Sequence, residues 1–314
     1  MGKESPSRAL PKKAAWGFFI CFLMSMHPPE TTEVKMTVLE AVKDAETRLA
    51  AVPDPRLDAE YLLAHVLGLR RLDVLLQKRR ELTAAEESAF SALISRRAAR
   101  EPLQYILGNQ PFMGLLFHTD PRALIPRNDT ETLCEEALRL AKPRQKVLDM
   151  CTGSGAIAVA MKKLGPGLRV TAADVSEAAL SLARENAKAL GAEIDFRQGD
   201  LWGAVTGEVY DMILCNPPYI PQGLREELQE EVKREPALAL FGGADGLDFY
   251  RRIAAGAPEH LTAGGYLLLE IGDDQFDAVR ALLAPGFDHI TLLHDMNGRP
   301  RVARAERNCN GSAV

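Results

Sequence analysis

From Lys146 onward the sequence alternates short apolar runs with helical segments, and this alternation constrains the fold more than any other feature. The apolar runs are predicted to be strands at Val147–Met150, Val170–Asp174, Ile194–Gln198, Met212–Cys215, Tyr266–Ile271, Ile290–Leu293 and Arg301–Ala305. Strands that alternate with helices predict a mostly parallel sheet with helices on both faces. Only a turn at Asn297-Gly298 separates the last two strands, so one of them is expected to run antiparallel.

The region before this sheet has a different pattern. Between residues 37 and 99, apolar side chains recur at helical spacing, which predicts a small helical bundle. Residues 101–130 are rich in proline and glycine and predict a connector with a hairpin between residues 110 and 118. We therefore divide the chain into a disordered leader or start-site extension (1–36), a helical domain (37–106), the connector (107–130), the sheet domain (131–307) and a tail (308–314).

Charge and cysteine content limit the possible classes of protein. The chain has 38 basic and 43 acidic residues and a formal net charge of −5, which argues against a dedicated polyanion binder. Its five cysteines include no Cys-x-x-Cys pair, which favours a reducing cytoplasm and argues against a disulfide framework or a zinc site. The apolar run Ala14–Met26 is too short to span a bilayer and lacks a signal-peptidase pattern, so no membrane role is expected.

The first strand of the sheet leads into a glycine-containing turn at the start of a helix. The turn consists of Cys151, Thr152, Gly153, Ser154 and Gly155. Its glycines allow tight backbone geometry and close approach of a ligand, and the helix start offers free N–H groups. Asp174 ends the second strand, where a carboxylate can accept both ribose hydroxyls of a nucleoside. Cys151 departs from the first glycine of a dinucleotide-binding loop, so a nucleoside cofactor without phosphates fits better.

The fourth strand ends in a polar and aromatic motif, Asn216, Pro217, Pro218 and Tyr219. Ligands of open α/β sheets bind at this end of the strands. The Asn216 side-chain oxygen and a carbonyl of the rigid proline loop can accept the two protons of a substrate NH2 group, and Tyr219 offers a face for stacking. With the nucleoside turn, the motif predicts S-adenosyl-L-methionine-dependent methyl transfer to nitrogen, with Asn216, Pro217 and Tyr219 as the catalytic residues.

Beyond this motif the sequence resembles the protein-(glutamine-N5) methyltransferases that modify peptide chain release factors. The resemblance covers residues 37–307 and includes the segments Glu101–Ile106, Leu124–Glu131, Glu235–Leu240, Asp245–Leu247 and Leu269–Gly272. It implies a Rossmann-like class I methyltransferase fold, an α/β fold whose mostly parallel seven-stranded sheet has one antiparallel strand, behind an N-terminal helical bundle. Cys151 stands where the family usually has glycine, and Asn128 where it often has proline; neither side chain is expected to be needed for catalysis.

The resemblance also implies which residues bind the ligands. The residues implied for S-adenosyl-L-methionine are Cys151, Thr152, Gly153, Ser154, Gly155, Asp174, Leu201 and Asn216, with Leu201 at the adenine and Trp202 one place later. Those implied for the substrate are Asn216, Pro217, Pro218 and Tyr219. The implied substrate is the glutamine of the Gly-Gly-Gln loop of class 1 release factors, whose methylation would modulate translation termination.

The helical domain is expected to dock this protein substrate. Its clusters Lys78-Arg79-Arg80 and Arg96-Arg97-Arg100 fit docking and a solvated helix face equally well. An N6-adenine methyltransferase acting on DNA or RNA is the alternative, since an adenine amino group suits the same motif. The net acidic charge and the lack of a long insertion argue against this alternative. A second alternative, a cofactor sensor without activity, is disfavoured because the Asn216–Tyr219 motif and the glycine turn are intact. We expect a monomer with no metal, no stable nucleic-acid binding and no membrane association.

Overall fold

The structure, a computed structural model, describes Gly2 and residues 35–308. Apart from residues 2, 35, 36 and 308, the predicted leader and tail lie outside the described residues. Within the described residues, no helix has the length and apolar character that crossing a membrane requires.

The predicted helical bundle is confirmed. Its helices are α1 (Val38–Arg48), α2 (Pro55–Leu67), α3 (Arg71–Leu76), α4 (Ala84–Ala98) and α5 (Leu103–Leu107). Capping boxes begin α1 and α4, where the hydroxyls of Thr37 and Thr83 accept a hydrogen bond from the backbone N–H three residues later. Gly68 ends α2 in the left-handed conformation, which glycine adopts at little cost. The helices enclose one apolar core that includes the fully buried Leu62 and Ile94.

The predicted hairpin is also present and joins the bundle to the sheet. Its strands are β1 (Asn109–Phe112) and β2 (Leu115–His118), paired antiparallel. Phe112 and Phe117 are fully buried and pack edge to face, with their ring centroids 6.0 Å apart. Asn186 fixes the hairpin, because its side-chain oxygen accepts the His118 N–H at 2.8 Å and its NH2 group donates to the His118 carbonyl.

The remaining strands form one seven-stranded sheet within the described residues. They are β3 (Lys146–Met150), β4 (Arg169–Asp174), β5 (Asp195–Gln198), β6 (Tyr210–Cys215), β7 (Leu261–Glu270), β8 (Phe287–His294) and β9 (Pro300–Arg307). Their order is β5-β4-β3-β6-β7-β9-β8. β9 is antiparallel to both neighbours, and the other pairs are parallel. The predicted sheet with one antiparallel strand is confirmed.

Helices cover both faces of this sheet. They are α6 (Glu131–Leu140), α7 (Ala156–Leu164), α8 (Glu177–Ala189), α9 (Asp248–His260) and α10 (Phe276–Leu283). Side chains of β3 alternate between the two cores: Val147 packs with α6 and α7, whereas Leu148 and Met150 pack with α9 and α10. The strand order changes direction around β3, since β4 lies on one side of it and β6 on the other. Such a point at the carboxyl ends of parallel strands is where open α/β sheets bind ligands.

Candidate active site

A cleft opens at the carboxyl ends of β3, β4 and β6. Together with its open mouth it encloses about 1030 Å³. The predicted residues that line it are Cys151, Thr152, Gly153, Ser154, Asp174, Leu201, Asn216 and Pro218. Those that lie beside the cleft rather than on its wall are Gly155, Pro217 and Tyr219. The structure therefore brings the turn, the strand-end acid and the tetrad to one place.

A buried carboxylate that the sequence analysis did not single out holds the turn after β3. The Asp149 side chain is fully buried, and its Oδ2 accepts hydrogen bonds from the Thr152 hydroxyl and from the Ala158 N–H at 3.0 Å. These bonds tie the turn to both β3 and α7. Burial raises the pKa of Asp149 to about 7. The sequence does contain a signal for this role, an aspartate between the apolar residues of a strand. Because carboxylates are rarely buried without a partner, an acid at such a position indicates internal hydrogen bonds.

Three residues of the turn have positive φ angles but meet different surroundings. A Cβ on Gly155, at φ 81°, would lie 2.9 Å from the Ala183 Cβ of α8, so this glycine permits contact between turn and helix. A Cβ on Gly153, at φ 56°, would meet nothing within 4 Å, in keeping with its place on the cleft wall. Cys151 has φ 60°, which accounts for the glycine expected there, because side chains disfavour this conformation.

Asp174 connects the end of β4 to the turn. Its Oδ2 accepts the Gly153 N–H at 2.9 Å, and its Oδ1 accepts the Ser176 N–H at 2.9 Å. Burial raises the pKa of this carboxyl, and the two backbone hydrogen bonds act in the opposite direction. Each carboxylate oxygen has a further lone pair, so Asp174 can still accept hydroxyl protons from a ligand in the cleft.

Leu201 and Trp202 differ in their positions. Leu201 is buried at the cleft wall with φ 48°. Trp202 packs edge to face on His260, at 4.6 Å between ring centroids, and donates its indole N–H to the Arg252 carbonyl at 3.0 Å. Leu201 therefore lines the cleft, whereas the side chain of Trp202 packs elsewhere.

The tetrad is held by a chain of hydrogen bonds to β7. The Asn216 NH2 group donates to the Thr130 hydroxyl oxygen at 3.3 Å, and the Thr130 hydroxyl donates to Glu270 Oε2 at 2.6 Å. The Tyr219 hydroxyl donates to the other oxygen of Glu270 at 3.4 Å. Tyr219 lies beside the cleft rather than on its wall, and its stacking role stays a prediction. Burial raises the pKa of Glu270 to about 7. The sequence analysis named neither Thr130 nor Glu270 as a site residue.

Another buried acid, Glu235, supports the outer wall of the cleft. Glu235 accepts the Ile125 N–H at 2.9 Å and forms an ion pair with Arg127. This acid joins two segments that both line the cleft, residues 122–127 and 236–239. Leu238, at the outer wall, is 58% exposed.

In the basic cluster Arg96-Arg97-Arg100 of the helical bundle, Arg97 faces inward. Arg97 is 4% exposed and pairs with Asp58 at 2.7 Å and with Glu231 at 2.8 Å. Arg100 also pairs with Glu231, at 2.6 Å, and Arg96 pairs with Glu101. Both predictions for this cluster, a docking surface and a solvated helix face, are wrong for Arg97, because its ion pairs hold it between α2 and the loop that follows the tetrad. In the other cluster, Lys78 and Arg79 are exposed.

The mostly parallel sheet, its cleft and the tetrad at the end of β6 define a methyltransferase of the Rossmann-like class. Comparison with family models gives two matches: residues 40–108 match the PrmC N-terminal domain, and residues 130–235 match the methyltransferase small domain. The chain is 45% identical over 253 residues to the release factor glutamine methyltransferase of Geobacter sulfurreducens, covering 80% of this chain and 89% of the relative.

A second relative extends this similarity over more of the chain. The release factor glutamine methyltransferase of Moorella thermoacetica is 43% identical over 280 residues, covering 87% of this chain and 99% of the relative. The chain belongs to the release factor glutamine methyltransferase family. Among solved structures, a methyltransferase from Pyrococcus furiosus shares the fold, with a TM-score of 0.50 at 17% identity, covering 70% of this chain and 99% of that chain.

Proposed function

We propose that this enzyme transfers the methyl group of S-adenosyl-L-methionine to the side-chain amide nitrogen of the glutamine in the Gly-Gly-Gln loop of class 1 peptide chain release factors. One observation carries the proposal. Asn216 lines the same cleft as the turn and Asp174, and its NH2 group is engaged by Thr130. Its oxygen is therefore available to a substrate NH2 group. The names of the relatives support the release factor as substrate.

The residues of the cleft would supply the contacts that S-adenosyl-L-methionine needs. The buried carboxylate of Asp174 lines the cleft, where it would accept the ribose hydroxyls, and Leu201 would pack on the adenine. The methionyl part would lie against the turn from Cys151 to Gly155. None of these contacts requires a phosphate-binding site. When bound, the sulfonium of the cofactor would supply an electrophilic methyl group.

The tetrad orients the substrate nitrogen. Asn216 Oδ1 and the Pro217 carbonyl would each accept one proton of the glutamine NH2 group, which increases electron density on nitrogen. The nitrogen so held would accept the methyl group as the carbon–sulfur bond breaks, and one amide proton would leave to solvent. The enzyme contributes alignment and electrostatics, without a covalent intermediate.

The helical bundle completes the proposal as the docking region for the release factor. Its exposed Lys78 and Arg79 would be available to an acidic surface on that partner. The domain limits of 37–106, 107–130 and 131–307, a monomeric state, a cytoplasmic location and no stable nucleic-acid binding belong to the same proposal.

Replacing Asn216 tests the assigned role. Asn216→Ala is expected to lower kcat about 100- to 1,000-fold, the effect of losing one preorganised hydrogen-bonding group. Cofactor affinity, measured by calorimetry, should change less than about threefold, because Asp174 and the turn remain. Asn297→Ala, in the exposed turn between β8 and β9, is the matched control. A wild-type rate for Asn216→Ala, or a loss due only to weaker cofactor binding, would contradict the assignment.

A further inference from the structure

The reaction needs the Asn216 amide in one of two orientations. An asparagine amide has an oxygen on one side and an NH2 group on the other, with nearly the same shape, so its hydrogen-bond partners decide which faces the substrate. Only the orientation with Oδ1 toward the cleft can accept a proton from a substrate NH2 group. Asn216 is partly buried and lines the cleft, so its other side must be fixed from within the protein.

Thr130 lies next to Asn216, in the lining of the same cleft. It ends the 3-10 turn Asn128–Thr130 that precedes α6, and it is 4% exposed. A threonine hydroxyl has one proton and two lone pairs. Its proton is directed to Glu270 at 2.6 Å, so toward Asn216 it can only accept. The Asn216 NH2 group, at 3.3 Å, is the matching donor.

Glu270 determines the direction of this chain. It ends β7 at 1% exposure, and in its ionised form the carboxylate can only accept. It receives the hydroxyls of Thr130 and Tyr219, and its backbone carbonyl accepts the Tyr250 hydroxyl at 2.8 Å. The Glu270 carboxylate is therefore hydrogen-bonded to Thr130, which holds Asn216 at the start of the tetrad, and to Tyr219 at its end. If Glu270 were protonated, it could donate to Thr130, whose proton could then turn to Asn216 and reverse the amide.

We propose that Thr130 and Glu270 are positioning residues that hold the Asn216 amide with its oxygen toward the substrate nitrogen, an inference that rests on the proposed function. In this role both residues act through Asn216. The ionisable groups that surround the Glu270 carboxyl are Arg301, Asp129, Tyr219, Tyr250 and Cys134. Of these, Arg301 favours the ionised form and Asp129 opposes it.

Removing only the Thr130 hydroxyl tests this role. Thr130→Val keeps the shape of the side chain and is expected to lower kcat about 10- to 100-fold, because a misoriented acceptor loses alignment. KM for the release factor and cofactor affinity should stay within about threefold, since the amide contributes mainly to the transition state. Thr130→Ser restores the hydroxyl and should recover most of the rate. Thr119→Val is the matched control, because Thr119 is also buried and donates to the Gln104 carbonyl at 2.9 Å.

The pH profile tests Glu270 separately. Wild-type kcat should rise with pH as this carboxyl ionises, whereas Glu270→Gln should retain a lower kcat that no longer rises over that pH range. Equal kcat losses in Thr130→Val and Thr119→Val at matched thermal stability would overturn the positioning role, as would an unchanged pH profile in Glu270→Gln.

A readout without substrate separates this inference from the proposed function. In protein labelled with ¹⁵N-asparagine, the Asn216 NH2 signal is the one that disappears in Asn216→Ala. Thr130→Val should move this signal upfield and speed its hydrogen exchange, while Thr119→Val leaves it in place. If the signal does not respond to Thr130→Val, the positioning role is wrong even when glutamine is methylated. If the signal responds but no glutamine is methylated, the proposed function fails instead.

Discussion

Gly155 lies where the cofactor turn meets α8, and its replacement by alanine has a cost that the structure allows us to work out. The φ of 81° costs an alanine about 1–2 kcal/mol relative to glycine. A new Cβ at 2.9 Å from the Ala183 Cβ adds overpacking of about 1–3 kcal/mol. Lower entropy of the unfolded chain returns about 0.4–1 kcal/mol. Taken together, the middle values of these three contributions predict that Gly155→Ala reduces the free energy of unfolding by about 3 kcal/mol.

Gly153 provides the matched comparison in the same turn. Its φ of 56° carries the same conformational cost, but a Cβ there meets nothing within 4 Å. Gly153→Ala is expected to cost only about 1 kcal/mol. Because Gly153 lines the cleft, its new methyl group should instead weaken cofactor binding. The two alanines thus separate stability from ligand affinity.

Urea unfolding with calorimetry of cofactor binding measures both effects. The midpoint should fall further for Gly155→Ala than for Gly153→Ala at an unchanged m-value. Ala183→Gly removes the nearest methyl group, so the double variant should recover about 1 kcal/mol through coupling between the two sites. Equal destabilisation by the two alanines, or no coupling with Ala183→Gly, would refute the role of close packing at Gly155.

Three further predictions concern charged groups. Burial raises the pKa of Glu270 in the folded protein to about 7 from an ordinary 4.5, so the native state binds the proton more tightly than the unfolded chain does. As the pH rises from 4.5 to 7, the wild type should therefore lose about 3 kcal/mol of unfolding free energy relative to Glu270→Gln. Urea titrations at each pH measure this difference. Parallel curves for the two proteins would contradict this. Asp174→Asn should weaken cofactor binding at least about tenfold by calorimetry, since it removes a charged acceptor, and unchanged affinity would exclude the ribose contact. Arg97→Ala should cost about 3–5 kcal/mol in urea unfolding by leaving the buried Asp58 carboxylate unpaired, whereas replacing the more exposed Arg96 by alanine should cost below about 1 kcal/mol. Similar losses would contradict the buried pairing.

The strands were predictable because each is a local run with a clear pattern. The fifth strand was predicted to begin at Tyr266, which is where regular pairing with β6 begins, opposite Met212. In the structure β7 already begins at Leu261. Leu261 pairs with Tyr210, and the register shifts before the ladder resumes. A bulge depends on the partner strand, so the periodicity of one strand could not reveal it.

The contacts that orient the site were not predictable in the same way. Thr130 and Glu270 are 140 residues apart in the chain, and only the folded sheet brings them together. Arg97 carried a clearer local signal, since it falls seven residues after Phe90 and three after Ile94, on the buried face of α4. An arginine at such a position indicates an internal ion pair before it indicates a docking surface.

The central claim concerns the atom that receives the methyl group. The most direct measurement incubates the full chain and isotopically labelled S-adenosyl-L-methionine with a class 1 release factor and with nucleic acid, followed by tandem mass spectrometry of the products. The account predicts label on the side-chain nitrogen of the Gly-Gly-Gln glutamine and nowhere else, and its absence when Asn216 is alanine. Label on adenine, or on a residue other than that glutamine, would contradict it.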